Sequence, residues 1–443
     1  RAVLGTMAGA MAGLVLSGRS ASATEISMGD AQSGSGSGQA PDRPQAPAQL
    51  PGRAPARQPA GAPARQTDEP DVFRATLSNG LRAVVRERPD SEVVAVSVGA
   101  RGGSRDEEAE TVGAAHFMEH MFFQGTPRRP ESAAIDRDVE ARGGWANAWT
   151  GFESINFQVV APTDSYDLAL DVVADLTVSS LFAEDKVDKE RQVVLEELNG
   201  RLNSPSQRAY DLFIPAVAGD HPIRHLPIGN RETINQSTHD VLLRFRDTYF
   251  VASNMAVAVV GNVDHEQVFQ SLEAQFAGLR TGPVPPFKAA PIPPARANLI
   301  TAQAPGQQAR IVLGGPGPGL HSPDKYPLHV VIVLLGDAGR RLESEIVDRR
   351  GLAASVSPLH LELTDVSVWG VSAGMRPANV DAVVELIRAQ FRRLRDEPLR
   401  ADELAEAIAY IRGTQRLERE RSVDLAEELS EGDVVGIYEP VEV

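Results

Sequence analysis

"TVGAAHFMEHMFFQGTPRRP", residues 111–130, sets His116 and His120 four apart with Glu119 between them. The stretch has helical character. On a helix, residues four apart lie about 40° apart around the axis, one turn above the other. His116 and His120 then project from one face and can hold one ion, with Glu119 close to the same face. Zinc favours imidazole nitrogens plus a carboxylate and leaves one position for water. It lowers the pKa of that water, and a nearby carboxylate can take the proton. In this inverted order the base is the glutamate between the histidines, Glu119. A helical histidine pair alone is equally compatible with a solvated or structural role, so a third ligand is required. The chain has no cysteine, which leaves Asp, Glu or a further His. Several carboxylates are available, and spacing alone does not pick one.

On the N-terminal side, "VFRATL", "SNG" and "LRAVVRE" predict a hairpin with Asn79-Gly80 at its turn. "EVVAVSVGA" predicts a third strand. On the C-terminal side, "ESAAIDRDVEAR" reads as helix and "ANAWTGFESINFQVVAP" alternates and ends as a strand. Helical runs follow at "YDLALDVVADLTVSSLF", "VDKERQVVLEELNGRL" and "VLLRFRDTYF", with a buried strand at "NMAVAVVGNV". The expectation is an α+β domain over 71–280 with a mostly antiparallel sheet. The Pro-rich stretch 281–298 breaks every period and reads as an interdomain linker. Residues 299–443 predict a second, metal-free domain: strands, a long helix, two more strands, then helices. Its element order resembles that of the first domain, which suggests a duplicated architecture. It lacks the closing helix, strand and helix, so a C-terminal truncation is expected.

The chain has 443 residues and a net charge of −16. The charge argues against nucleic acid as the main partner, because phosphate binding needs a basic face. Absence of cysteine excludes disulfides and thiolate metal sites and suits any redox compartment. Residues 1–23 read as a secretory signal peptide: an apolar run rich in small residues, then an A-x-A site at Ala21–Ala23. A membrane anchor is the competing reading. The run is short for a span of about 20 residues, and its Gly and Ala are weakly hydrophobic. With no later span, the expected product is exported, periplasmic or secreted. Residues 24–70 are mostly Gly, Ser, Pro, Ala, Gln and Arg and are expected to be a disordered tether.

"GAAHFMEHMFFQGT" resembles the active-site helix of the pitrilysin/insulinase family of inverted-motif zinc peptidases, which includes the mitochondrial processing peptidases. The resemblance implies a third ligand after 76 intervening residues, on a helix of the type E-R-x-V-x-x-x-E. That count from His120 reaches Glu197, in "ERQVVLEELNG". It further implies that Glu190 orients a ligand histidine; otherwise Glu190 is a solvated helix charge. "GGWANAWTGFESINF" resembles the family strand whose N-A pair, here Asn147 and Ala148, marks an edge onto which a substrate peptide adds as a strand. Without the resemblance, Asn147 reads as a turn or bulge residue. His221 and His225 fall in a further similar segment, "HPIRHLPIGNRETI", and read as structural.

One departure stands out. The family's second half carries an arginine and, seven residues on, a tyrosine, which help to stabilise the oxyanion. Here "IVDRRGLAASV" places Val347 and Ala354 at those positions, with Arg349 and Arg350 at other offsets. The resemblance therefore implies a zinc endopeptidase subunit with one Zn2+, a peptide substrate and a paralogous partner that carries the Arg/Tyr pair. The alternatives are a catalytically weak structural or assembly subunit, and a self-sufficient homodimeric peptidase.

Overall fold

The structure is a computed structural model. It describes residues 71–295, 298–336 and 341–436, together with the backbone of Ala12–Arg19 (β1) and Arg65–Glu69 (β2). Val72–Thr76 (β3) and Arg82–Glu87 (β4) form the expected hairpin. At its turn Gly80 has φ +95°, and the Asn79 Oδ1 accepts the Leu81 N–H at 3.0 Å. Val93–Arg101 (β5) follows. The next segment folds as Ala114–Phe122 (α1), Ser132–Glu140 (α2), Trp145–Thr150 (β6) and Ser154–Pro162 (β7). The stretch read as alternating and ending in a strand is a two-stranded hairpin, β7 being that final strand.

Tyr166–Ser179 (α3) and Glu184–Asn203 (α4) match the helical readings. Pro205–Ala218 (α5) is an additional helix, begun by Ser204, whose side chain accepts the Gln207 N–H, and by Pro205 in the first turn. After Arg231–Gln236 (α6), His239–Tyr249 (α7) and Met255–Gly261 (β8) comes the expected closing helix, His265–Gln275 (α8), capped by Asp264. The first sheet runs β2-β3-β4-β8-β5-β7-β6, and only the β4–β8 pair is parallel.

The second half contributes Asn298–Pro305 (β9) and Ala309–Pro318 (β10), then the helix Lys325–Leu335 (α9). A short helical piece at Arg341–Glu343 (α10) continues as a π-helical turn over Ser344–Arg349. Ala353–Glu362 (β11), Val366–Met375 (β12), Val380–Asp396 (α11), Ala401–Glu420 (α12) and Ser422–Val435 (α13) complete it. Its sheet order is β11-β12-β10-β1-β9. The α+β architecture with two sheet-and-helix halves is as the sequence predicts.

Two boundaries differ in part and otherwise fall outside the described residues. Ala12–Arg19, expected within a signal peptide, lies as β1 between β9 and β10. Its apolar run needs only backbone N–H and C=O groups to pair with both neighbours. The rest of 1–23, with Ala21–Ala23, lies outside the described residues. Arg65–Glu69, expected inside the disordered tether, pairs antiparallel with β3 and extends the sheet by one strand; residues 24–64 and 70 are outside the described set. No helix among the described residues is long and apolar enough to cross a membrane.

The strands read as near-continuous apolar runs because both faces of each sheet are covered. On β4, Ala83 and Val85 face the main core with α1 and α3, while Val84 faces the other way. What covers Val84, Ala95, Ala258 and Val260 is α13, through Val423, Leu425, Ala426 and Leu429. Conversely, α5 of the first half covers the second sheet, with Phe213, Ile214 and Val217 against Val312, Val366 and Val368. Each half thus lends a helix to the other's sheet. A buried ion cluster reinforces the junction. Arg105 makes two 2.8 Å bonds to Asp365 and also pairs with Glu153. Glu153 accepts the Thr364 N–H and hydroxyl at 2.9 and 2.7 Å. The linker is tied to the same cluster by the Ala290 N–H, 2.8 Å from Asp365 Oδ2.

Candidate metal centre

The helix α1 is fixed at its start and along one side. Glu107 accepts the N–H groups of Gly113 and Ala115 at 2.8 and 2.7 Å, satisfying donors that a helix N-terminus leaves open. Burial pushes its carboxyl up to about 8, against the pull of those donors. Gly113 has φ +96°, and a Cβ there would stand 2.8 Å from the Gly229 Cα. Phe117, Met118, Met121 and Phe122 are buried in the main core. That anchoring sets the rotation of α1, so its remaining face presents His116 and His120 to α4.

The two histidines and Glu197 converge. His116 Nε2 and His120 Nε2 are 3.3 Å apart, and Glu197 Oε2 lies 3.6 and 3.5 Å from them. Tetrahedral ligands bonded at about 2.0–2.1 Å stand roughly 3.3–3.4 Å from one another. The triangle therefore fits a zinc ion with its fourth position open. Of the alternatives the sequence left for the third ligand, the fold brings in Glu197. Glu190, two turns earlier on the same helix, is buried and bonds His120 Nδ1 at 2.8 Å. That bond leaves Nε2 with its lone pair toward the ion. Burial, with the fields of His120 and Arg201, pushes the His116 imidazole down to about 3, so it stays neutral and able to ligate. Burial lowers His120 too, but the Glu190 bond and the charges of Glu197 and Glu119 outweigh it and the net shift is upward.

Glu119 is buried at the edge of the same triangle. Burial raises its pKa, and a 2.5 Å hydrogen bond donated by Thr150 opposes the rise. Thr150 closes β6, the last strand of the first sheet, whose one sheet partner among the described residues is β7. Asn147 pairs with Gln158 and Ala148 with Phe157, so the far side of β6 is open. These residues line a cavity of about 580 Å³ with His116, Glu119, His120, Glu190 and Glu197. The sequence reading assigned no role to Thr150 or Glu107. Thr150 could have been found from its place in the same strand as Asn147; nothing local marked Glu107. His221 and His225 stand apart from the cluster, as expected; His221 Nε2 lies 3.6 Å from Asp365.

In the second half, Val347 packs against the apolar core and Ala354 sits at a register shift between β11 and β12. Arg350 is held by Glu345 at 2.6 and 2.7 Å, and Arg349 reaches the same carboxylate at 3.4 Å.

Residues 82–219 match the insulinase family, peptidase family M16, and residues 237–411 match the peptidase M16 inactive domain. The chain is 32% identical over 353 residues to an uncharacterised zinc protease of Streptomyces coelicolor, covering 77% of this chain and 76% of the relative. A crystallised protease from Helicobacter pylori superposes with TM-score 0.75 at 26% identity, over 85% of this chain and 90% of that one. A chain of complex III2 from Candida albicans has TM-score 0.68 at 18% identity, over 83% and 87%, a likeness of fold.

Proposed function

Because the chain belongs to the insulinase family, peptidase family M16, and carries a His-His-Glu zinc set, it is a zinc metallopeptidase; we propose that it is the metal-bearing subunit of a heteromeric endopeptidase acting on peptides or small unfolded proteins. The observation that carries this reading is the convergence of His116, His120 and Glu197 beside Glu119 and an open strand edge. When bound, zinc supplies a Lewis acid and lowers the pKa of water at its open position. In this reading Glu119 takes the proton from the attacking water and passes it toward the leaving amine. Its upward shift from burial suits a carboxyl that must both accept and release a proton. Thr150 holds one Glu119 oxygen and thereby aims the other. Substrate backbone pairs with the free edge of β6 at Asn147 and Ala148, which gives affinity with little demand on side chains. Glu190 keeps His120 in the ligating tautomer.

The heteromeric part rests on the second half. Val347 and Ala354 offer no side-chain donor, and both nearby arginines are engaged by Glu345. One missing oxyanion donor costs about a hundredfold or more in rate. A paralogue with the Arg/Tyr pair would supply those donors. The likeness to a complex III chain keeps a structural-subunit reading in view; the complete ligand set and base favour the enzyme. Export rests on the composition of residues 1–23. The test compares peptide hydrolysis by the zinc-loaded chain alone and with such a paralogue. Weak activity alone and a rise of orders of magnitude in the pair is the expected result. Full activity from the chain alone overturns the heteromeric reading.

A further inference from the structure

The second half repeats the local plan of the first. β10, α9 and the β11–β12 hairpin follow one another as β5, α1 and the β6–β7 hairpin do. In each half the helix packs against the hairpin's edge strand, α1 on β6 and α9 on β11. The contact of α9 with β11 is therefore equivalent to the contact of α1 with β6, beside the metal centre. Three ligand-type side chains meet there. His329 comes from α9. His360 and Glu362 come from β11, two residues apart and so on one side of the strand. His329 Nε2 lies 3.0 Å from Glu362 Oε1. The His329 and His360 rings stand 5.3 Å apart at 74°. One ligand atom from each of the three falls within 4.8 Å of the others. His360 Nε2 is buried and has no hydrogen-bond partner. Buried polar atoms without partners are uncommon and ask for a reason.

We propose that His329, His360 and Glu362 form a second zinc(II) site, one that braces the edge strand β11 against α9. Two imidazoles and a carboxylate are the same donor set that the first site offers, and they suit Zn2+ better than Ca2+ or Mg2+. An ion would give the orphaned His360 nitrogen its partner and would replace the direct His329–Glu362 contact. The three ligand atoms lie within 4.8 Å of one another, with the His329–Glu362 pair at 3.0 Å, so closing on an ion at the roughly 3.4 Å spacing of tetrahedral ligands asks for small side-chain adjustments. Lys325 lies near enough to act on the Glu362 charge. Its positive field competes with a cation, so this site is the weaker of the two. The brace lies at the C-terminal end of β11, next to the turn into β12.

The test reads metal, not hydrolysis, and so is independent of the peptidase reading. The metal-free chain is titrated with zinc against a chromophoric chelator, as the parent, as H116A/H120A and as that variant with H360A added. The expected stoichiometry is two zinc ions, one and none, with far-UV circular dichroism unchanged. Zinc should also raise the melting temperature of H116A/H120A, and H360A or E362Q should abolish that rise. One zinc in the parent and none in H116A/H120A at micromolar free zinc overturns the proposal. So does a second zinc that persists in the H360A and E362Q backgrounds. Should H360A fail to fold, cobalt(II) absorption of the folded H116A/H120A chain decides: a tetrahedral spectrum supports the site and a featureless one rejects it.

Discussion

Replacing Arg105 by alanine should cost about 3 kcal/mol of stability, the low end of the roughly 3–5 kcal/mol for breaking a buried ion pair from one side. The Arg105 side chain is 1% exposed and lies between Glu153 and Asp365, at 5% and 12%. Its removal leaves two carboxylates near each other with no cation between them. The cost stays at the low end because both acceptors keep other donors. Glu153 retains the two bonds from Thr364, and Asp365 retains the Ala290 N–H. Arg105→Lys keeps the charge but cannot hold both Asp365 oxygens while reaching Glu153, and should cost about half as much. Acid sensitivity should change as well. Burial alone would raise the Asp365 carboxyl, but the Arg105 guanidinium and the Ala290 N–H, with His221 close by, outweigh it and hold the group well below the usual carboxylate range. A depressed carboxyl contributes stability above its unfolded value of about 3.9, and that contribution fades as pH falls below it. Without Arg105 the folded value rises, so the variant lacks this acid-labile contribution, and its stability deficit against the parent should shrink as pH falls below about 3.9. Urea unfolding at pH 7 and at about pH 2.5, below the unfolded carboxylate value, followed by tryptophan fluorescence, measures both effects. A single transition is expected, because each sheet is covered by a helix from the other half. An alanine variant within about 0.5 kcal/mol of the parent, the usual range of surface substitutions, would refute the idea that this cluster clasps the halves.

Three further outcomes are expected. Burial, with the Glu427 charge adding and the Ser154 bond opposing, pushes the Glu431 carboxyl up to about 7. A raised carboxyl contributes stability below its unfolded value, and that contribution is lost as pH rises through the folded value. Glu431→Gln should therefore gain about 2 kcal/mol at pH 8 and nothing at pH 4, checked by denaturant titration at both. Glu190→Gln should weaken zinc binding by about 10- to 100-fold, because the charged bond that orients His120 is lost; competition with a chelator reads this directly. Gly113→Ala should destabilise the chain by about 1–3 kcal/mol, since φ +96° and the 2.8 Å approach to the Gly229 Cα leave no place for a methyl group. Calorimetry checks it, and Gly200→Ala on α4, with nothing within 4 Å of the added Cβ, is the control.

Much of the site was legible because its chemistry is local. His116, Glu119 and His120 share one helix turn, and period alone puts the two histidines on one face. Glu197 was not legible from period, since the fold, not the chain, sets its distance to His120. The family spacing supplied it. The hairpin at Asn79-Gly80 and the apolar strands were legible from turn chemistry and composition. The helix α5 was missed although Ser204-Pro205 prints its start, while α8 was expected only as the helix that closes the first half. No sequence signal marks the exchange of α5 and α13 between halves. It depends on which sheet face each helix meets after folding. Thr150 and Glu107 were missed for the same reason, as their partners lie 31 and 6 to 8 residues away across turns.

The central claim is that His116, His120 and Glu197 hold zinc while Glu119 moves the proton. The most direct measurement is the zinc content and peptide hydrolysis of Glu119→Gln beside the parent, each assayed with the partner that gives the parent its full rate. The account predicts unchanged zinc at the first site and a loss of at least about a hundredfold in kcat. A Glu119→Gln enzyme that keeps its zinc and its activity would contradict it.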